Sequence, residues 1–263
     1  MTLGKLCILS VVTWLTISAA SAMPTTPTRL TFEVASIKFS SPSAGLIYTI
    51  KPLPGGTGYT AQNAPFKLMM SLMYKVPMRQ ILGGPDWINT DRFDIEARTD
   101  HSSSVDDLHA MFQNLLSDRF NLRFHKELKQ GPVYVLTVDK SGLKMKPDGI
   151  GQALGIPIVP NPGGGFTGTR VPMQYLSWWL GQQLQNDGRP VVDHTGLSQS
   201  YDFTLSFAPQ LPPNVSRDNL PQEMQDLPSI FEAVQQQLGL KLEPQKGPVE
   251  YYVIDDVEKP SAN

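Results

Sequence analysis

Apolar residues recur at helical spacing in four stretches of the chain and alternate with polar ones in most of the stretches between. Leu68, Met69, Leu72, Met73 and Val76 make the first stripe. Pro65 opens it, where a missing N–H costs nothing because the first turn has no partner for it, and Pro77 stops it. Val105, Leu108, Phe112 and Leu115 make the second, behind Ser104 and Asp107, an acidic variant of the helix-start box. Met173, Leu176, Leu180 and Leu184 follow Pro172 as the third. The fourth is Ile230, Phe231, Val234 and Leu238, opened by a Ser229/Glu232 capping box and closed by Gly239 as a left-handed cap. Strands are predicted at 32–39, at Tyr59-Thr60, at 93–97, at 191–192 and at 201–207. Residues 122–138 and 240–257 predict two hairpins, the first turning at Gln130-Gly131-Pro132. Its second arm, Val133 to Val138, is apolar on both faces and predicts a central strand.

The pattern occurs twice. Gly58-Tyr59-Thr60 and Pro65 are answered by Gly165-Phe166-Thr167 and Pro172 at a constant offset of 107, and Phe93-Asp94-Ile95 by Tyr201-Asp202-Phe203 at 108. KQGPVYVLTVDK, starting at Lys129, returns as QKGPVEYYVIDD, starting at Gln245. These matches predict an α+β fold made by tandem duplication of a strand-helix-strand-strand-helix-strand-strand unit, with helices packed on mixed or antiparallel sheet. The units are 23–148 and 149–263, divided within the Pro/Gly-rich stretch 146–165; Pro209 to Gln225 reads as an exposed linker inside the second.

Ahead of these units, Lys5, the apolar run Leu6 to Ala20 and the small-residue site Ala20-Ser21-Ala22 predict a signal peptide, 1–22, cut after Ala22. The run falls short of the roughly 20 residues a membrane helix needs, so no stable span is expected after cleavage. The one cysteine, Cys7, lies in this leader. An exported chain of this size without a disulfide points to a bacterial periplasm or secretome. The net charge of -2, with no long basic run, argues against nucleic acid or an anionic membrane surface as partner.

Candidate chemistry is sparse. Gly163-x-Gly165-x-x-Gly168 has the letters of a dinucleotide fingerprint, but Pro160 and Pro162 stand where the motif needs a strand. His101, His109, His125 and His194 show no pairing at zinc-binding spacing. Asp193-His194 beside Thr195 and Ser198 suggests a triad by composition, yet adjacent residues of a strand point to opposite faces, and a polar turn after Val192 is the better reading. Asp118, Arg119 and His125 form a polar group between the second helix and the following strand, suited to bracing or to an anion. Trp178-Trp179 can expose one indole; partial burial of both is expected. No catalytic residue, metal ligand or cofactor is assigned. The binding candidates are Asp118, Arg119, His125, Asp193 and His194.

FEVASIK, PFKLMMSLMYKV, GGPDWINTDRFDIEA, LLSDRFNLRFHKE, RPVVDHTGLSQSYDF and IFEAVQQQLGLKLE together resemble an uncharacterised, mostly exported family abundant in Acidobacteria and other soil bacteria. Gln199 departs from the family's pattern, which has Gly there. The resemblance implies no established activity. Related domains at the extracytoplasmic end of BlaR-like membrane sensors imply a sensory or binding role, without the peptidase activity of those proteins, whose zinc motif this chain lacks. The expectation is therefore an envelope module that binds an unknown small ligand or envelope protein, with the groove between the repeats as its site. The alternative is a secreted hydrolase acting in the same groove.

Overall fold

The computed structural model describes residues 29–260, apart from 42–44, 46, 150–154, 162–164, 185–186, 210, 212–215, 217 and 219–220. The predicted leader and Gly163 of the glycine motif lie outside the described residues. The fold is α+β, with three four-stranded sheets among the described residues.

The first sheet uses β1 (Val34–Phe39), β2 (Thr49–Pro52), β3 (Gly58–Pro65) and β5 (Arg92–Arg98) in the order β1-β5-β3-β2, all antiparallel. Helix α1 (Phe66–Met73) follows directly from β3, with Pro65 as its extended N-cap. The short β4 (Ile81–Gly83) and α2 (Trp87–Thr90) lead into β5, and α3 (Val105–Arg119) follows it. The predicted box opens α3, because the Ser104 hydroxyl accepts from the Asp107 N–H at 3.1 Å and donates to its carboxylate at 2.8 Å. The α1 stripe differs in detail. Met69, Met73 and Val76 are buried as expected, while Met70 replaces Leu68 and Leu72, which are half-buried.

A long strand, β6 (Arg123–Val138), leaves this layer for the second half of the chain. There β7 (Lys146–Pro147), β8 (Ile158–Pro160), β9 (Phe166–Pro172) and β11 (Ser200–Leu205) form a sheet in the order β7-β11-β9-β8. The stretch 146–165 is thus more than a linker, since it supplies both edge strands. Helix α4 (Met173–Gln183) starts at Pro172 as α1 starts at Pro65; β10 (Val191–Asp193) precedes β11, and α5 (Gln222–Gln225) is a single turn. Helix α6 (Ile230–Ala233) carries the predicted capping box and ends in a π-helical turn, Val234–Leu238. Gly239 follows at φ +69, with its backbone so near Gly142 that an added Cβ would stand 2.0 Å from that carbonyl oxygen.

The last strand, β12 (Leu240–Asp256), corrects the hairpin expectation. Neither β6 nor β12 turns at its Gly-Pro. Both run straight through, and they pair antiparallel with each other from Leu240↔Val138 to Asp256↔Arg123. Gly-Pro permits a turn, but continuous pairing with an equally long partner satisfies more backbone groups than two separate hairpins would. Gly131 stands opposite Gly247 at the crossing. A Cβ on Gly131 would meet the Val249 side chain at 3.1 Å, and one on Gly247 the Val133 side chain at 3.2 Å, so the missing side chains let each valine pack over the facing strand. β10 adds parallel to β6 and β4 parallel to β12, giving the mixed sheet β10-β6-β12-β4. Of the predicted central strand, Val133 to Val138, the residues Val133 to Leu136 are buried on both faces, while Thr137 is half-buried and Val138 exposed.

The two main cores share this ribbon. One joins the α1 and α3 side chains to Leu122, Tyr252, Ile254 and Val257. The other joins α4 and α6 to Tyr134, Leu136, Leu240 and Leu242. Each long strand starts in one core and ends in the other.

Substitution at the α6 cap tests this backbone. Gly239→Ala is expected to lose about 2 kcal/mol or more in urea unfolding, because it combines a left-handed φ with a backbone collision. Gly45→Ala, also at positive φ but with nothing within 4 Å, should lose less. Equal losses would assign the whole cost to φ.

Candidate functional site: a groove beside the crossed strands

Where the ribbon passes between α1 and α4 it leaves a groove of about 390 Å3, within the range of small-ligand sites. Tyr74 to Pro77, at the end of α1, form one wall. Gln174, Ser177, Trp178 and Gly181 form the other, at the i, i+3, i+4, i+7 spacing of one helix face. Gln80, Pro190 to Val192 and the ribbon residues Pro248 to Glu250 and Tyr252 complete the lining. Gly181 and Ser177 keep the α4 wall low, and Pro77, Pro190 and Pro248 bring no backbone N–H to it.

The charges in this lining are already matched. Lys75 pairs with Asp106 of α3, and Glu250 with Lys126 at 3.0 Å. The Gln80 amide and the Trp178 indole N–H are not. Gln80, only 6% exposed, is held by its backbone N–H on the Pro77 carbonyl at 2.8 Å, while its side-chain amide has no hydrogen-bond partner among the described residues. It also borders a second cavity of about 120 Å3, which carries Arg79. The Trp178 indole N–H is shielded from solvent without an acceptor, its ring edge-on to Tyr175 at 5.4 Å. Such an orphan donor costs about 1–3 kcal/mol until something accepts from it. Burial pushes the Tyr74 hydroxyl up to about 12, with Tyr252 a lesser cause, so it stays neutral at the groove.

Behind the Lys75 wall lies a buried polar pair. Tyr59 hydroxyl and His109 Nε2 are 3.2 Å apart, and His109 Nδ1 has no partner. Burial, then the Lys75 ammonium, holds His109 down to about 4 against the opposing pull of Asp106. Burial also pushes Tyr175 up to about 12.

The five residues singled out from the sequence lie elsewhere. Asp118 holds Arg29 through two bonds of 2.8 and 3.0 Å at the end of α3. With Arg119 it borders a different cavity, of about 420 Å3, against residues 31–35, several of them exposed. His125 is exposed on β6 between Asp255 at 2.8 Å and Glu127 at 3.3 Å, which raise its pKa, Asp255 the more. Asp193 spends its carboxylate on the Thr195 N–H and hydroxyl, at 2.9 and 2.7 Å, closing the expected polar turn. His194 is exposed, and its backbone N–H is held by the Leu136 carbonyl. Asp118 and Arg119 thus share a cavity wall, His125 sits in a separate acidic cluster, and Asp193 and His194 stand at the end of β10.

Of the tryptophan pair, Trp179 is buried and Trp178 half-buried. Gln80 carried no motif. The α4 face did leave a signal: Ser177 and Gly181, small residues four apart beside a tryptophan, mark a helix face that leaves room for something else. Among the described residues no group of three or more His, Cys, Asp or Glu is placed to hold a metal ion, and no helix is long and apolar enough to cross a membrane.

His109 makes stability fall with acid. Its folded value, about 4, lies below the ordinary 6.5, so between the two the unfolded chain binds a proton that the folded chain refuses. The contribution is complete above pH 6.5 and gone near pH 4, amounting to roughly 3 kcal/mol. Urea unfolding at both pH values should show His109→Gln losing less stability on acidification than the parent by about that amount; equal losses would place the proton elsewhere.

No curated protein and no solved structure gives a significant match to this chain. A family model described as Protein of unknown function (DUF3738) matches residues 67–257, from α1 through the end of the crossed ribbon. That span is well over half of the chain and includes every wall of the groove, and on it the chain belongs to the DUF3738 family.

Proposed function

We propose that this chain is an exported bacterial envelope protein, a non-catalytic and sensor-like module that holds a ligand in the groove between two duplicated units. The observation that carries the binding reading is the groove itself: a cavity walled from both halves of the chain, its charges paired and, among the described residues, the Gln80 amide and the Trp178 indole N–H left without partners. Export rests on the leader-like sequence at 1–22 and the absence of cysteine after it.

Duplication is supported by backbone detail as well as sequence. The outer sheets have the same strand order when β1, β5, β3 and β2 are matched with β7, β11, β9 and β8. Asn63 and Arg170, 107 apart, are both left-handed, at φ +53 and +50. Each gives its N–H to an aspartate of the neighbouring strand, Asn63 to Asp94 at 2.9 Å and Arg170 to Asp202 at 2.8 Å. Two separate origins would have no reason to place the same strained residue and the same carboxylate there.

The hydrolase alternative would need an acid and a base facing one another. Among the described residues of the lining the one carboxylate is Glu250, engaged by Lys126, which favours binding.

The test is thermal unfolding of the purified protein with peptidoglycan fragments, saccharides, blocked peptides and divalent metals, repeated on Gly181→Phe. An added Cβ at Gly181 makes only ordinary contacts, nearest the Val191 N at 3.7 Å, and the ring it carries is placed at the α4 wall of the groove. A ligand at 100 times its dissociation constant adds about 2.7 kcal/mol of stability. One class should raise the melting temperature of the parent and leave the variant unmoved. No shift with any class, or an equal shift in both proteins, would overturn the groove as the site.

A further inference from the structure

We infer that the groove takes an extended, uncharged peptide segment, with a backbone amide read by the side chain of Gln80 and a carbonyl that accepts from the indole N–H of Trp178. This rests on the groove being the binding site. A glutamine amide offers a carbonyl acceptor and two N–H donors on one plane, the complement of the C=O and N–H that every peptide unit carries. Gln80 is buried to 6% exposure, fixed at its backbone by Pro77, and borders both cavities without a side-chain partner. A ligand amide therefore meets a group already positioned, with no internal hydrogen bond to break.

Charge decides against an ionic ligand. Lys75 and Glu250 are neutralised by Asp106 and Lys126, so a charge brought against this wall would be desolvated with no free counter-ion in the lining. Arg79 borders only the smaller cavity beyond Gln80. The rest of the surface suits side chains of an extended segment. Val76, Val191, Val192 and Val249 are apolar, and the wall prolines withhold N–H donors that would compete for ligand carbonyls. The Trp178 N–H is covered in the structure, so the indole must rotate to reach a ligand, and a carbonyl at the end of that rotation removes the cost of an orphan donor.

The experiment is a titration of the 15N-labelled protein, watching the Gln80 side-chain NH2 and Trp178 indole signals, assigned from Gln80→Leu and Trp178→Phe. The probes are the blocked tetrapeptide acetyl-Ala-Pro-Val-Ala-amide, the same peptide with glutamate in place of valine, and a glucose trisaccharide, which offers hydroxyls but no amide. The neutral peptide is expected to move both signals. Gln80→Leu should weaken it at least tenfold with no loss of melting temperature, since that side chain makes no hydrogen bond in the free protein. Signals moved by the trisaccharide and not by the peptide would overturn the peptide class while leaving the groove as a binding site. Equal or tighter binding of the glutamate peptide would overturn the charge argument, and with it the inference. Signals unmoved by all three would overturn it outright, leaving the thermal screen to judge the groove.

Discussion

The crossing of β6 over β12 is the constraint on which the rest of the structure depends. Two strands of 16 and 17 residues pair along nearly their whole length, and neither half of the chain closes its core without the strand of the other. The pairing is anchored where the side chains are smallest. Gly131 and Gly247 face each other, and Val133 and Val249 fold over them into a small apolar cluster with Val135. A Cβ at either glycine would stand 3.1 or 3.2 Å from the valine methyl packed over it and oblige that side chain to shift. The outer sheets and helices are then attached to a scaffold whose two ends are held by different parts of the sequence.

The groove is a consequence of that scaffold. A ribbon shared by two layers leaves a gap where α1 and α4 approach it from opposite sides, and the gap is kept open by Gly181 and Ser177 rather than filled. Its charged residues are tied to partners outside the lining, Asp106 and Lys126, so the surface facing the gap is polar but electrically quiet. Neutral groups with unspent hydrogen-bonding capacity among the described residues lie beside it, the Gln80 amide and the covered Trp178 N–H. In a buried setting that combination favours recognition of hydrogen-bonding patterns over recognition of charge.

Local features were legible in the sequence. The Ser104 and Ser229 caps, the proline starts of α1 and α4 and the left-handed Gly239 all follow from short-range chemistry. Residues 122–138 and 240–257 were correctly extended, yet their partners were misassigned, because Gly-Pro within an alternating pattern suits a turn, and only a strand over a hundred residues away shows that none is needed. The edge strands β7 and β8 were hidden for a related reason: Pro and Gly at 146–165 break regular structure locally, whereas short edge strands tolerate them. At the site, reactive-looking residues drew attention to Asp193 and His194, while the groove is lined by glutamine, serine, valine and proline, which acquire a role only when distant segments meet. Gln80 owes its place to a 3-10 turn and to burial beneath another half of the chain, neither of which a pattern of letters carries.

The measurement that tests the shared ribbon most directly is urea unfolding followed by two local probes, Trp87 in the first core and Trp179 in the second, each kept as the fluorescent tryptophan of its own variant. Because each core is completed by a strand from the other half, the two transitions should coincide in midpoint and slope, as for one cooperative unit. Two separated transitions, with one tryptophan exposed while the other remains buried, would contradict the account and show that each half holds its core without the crossing.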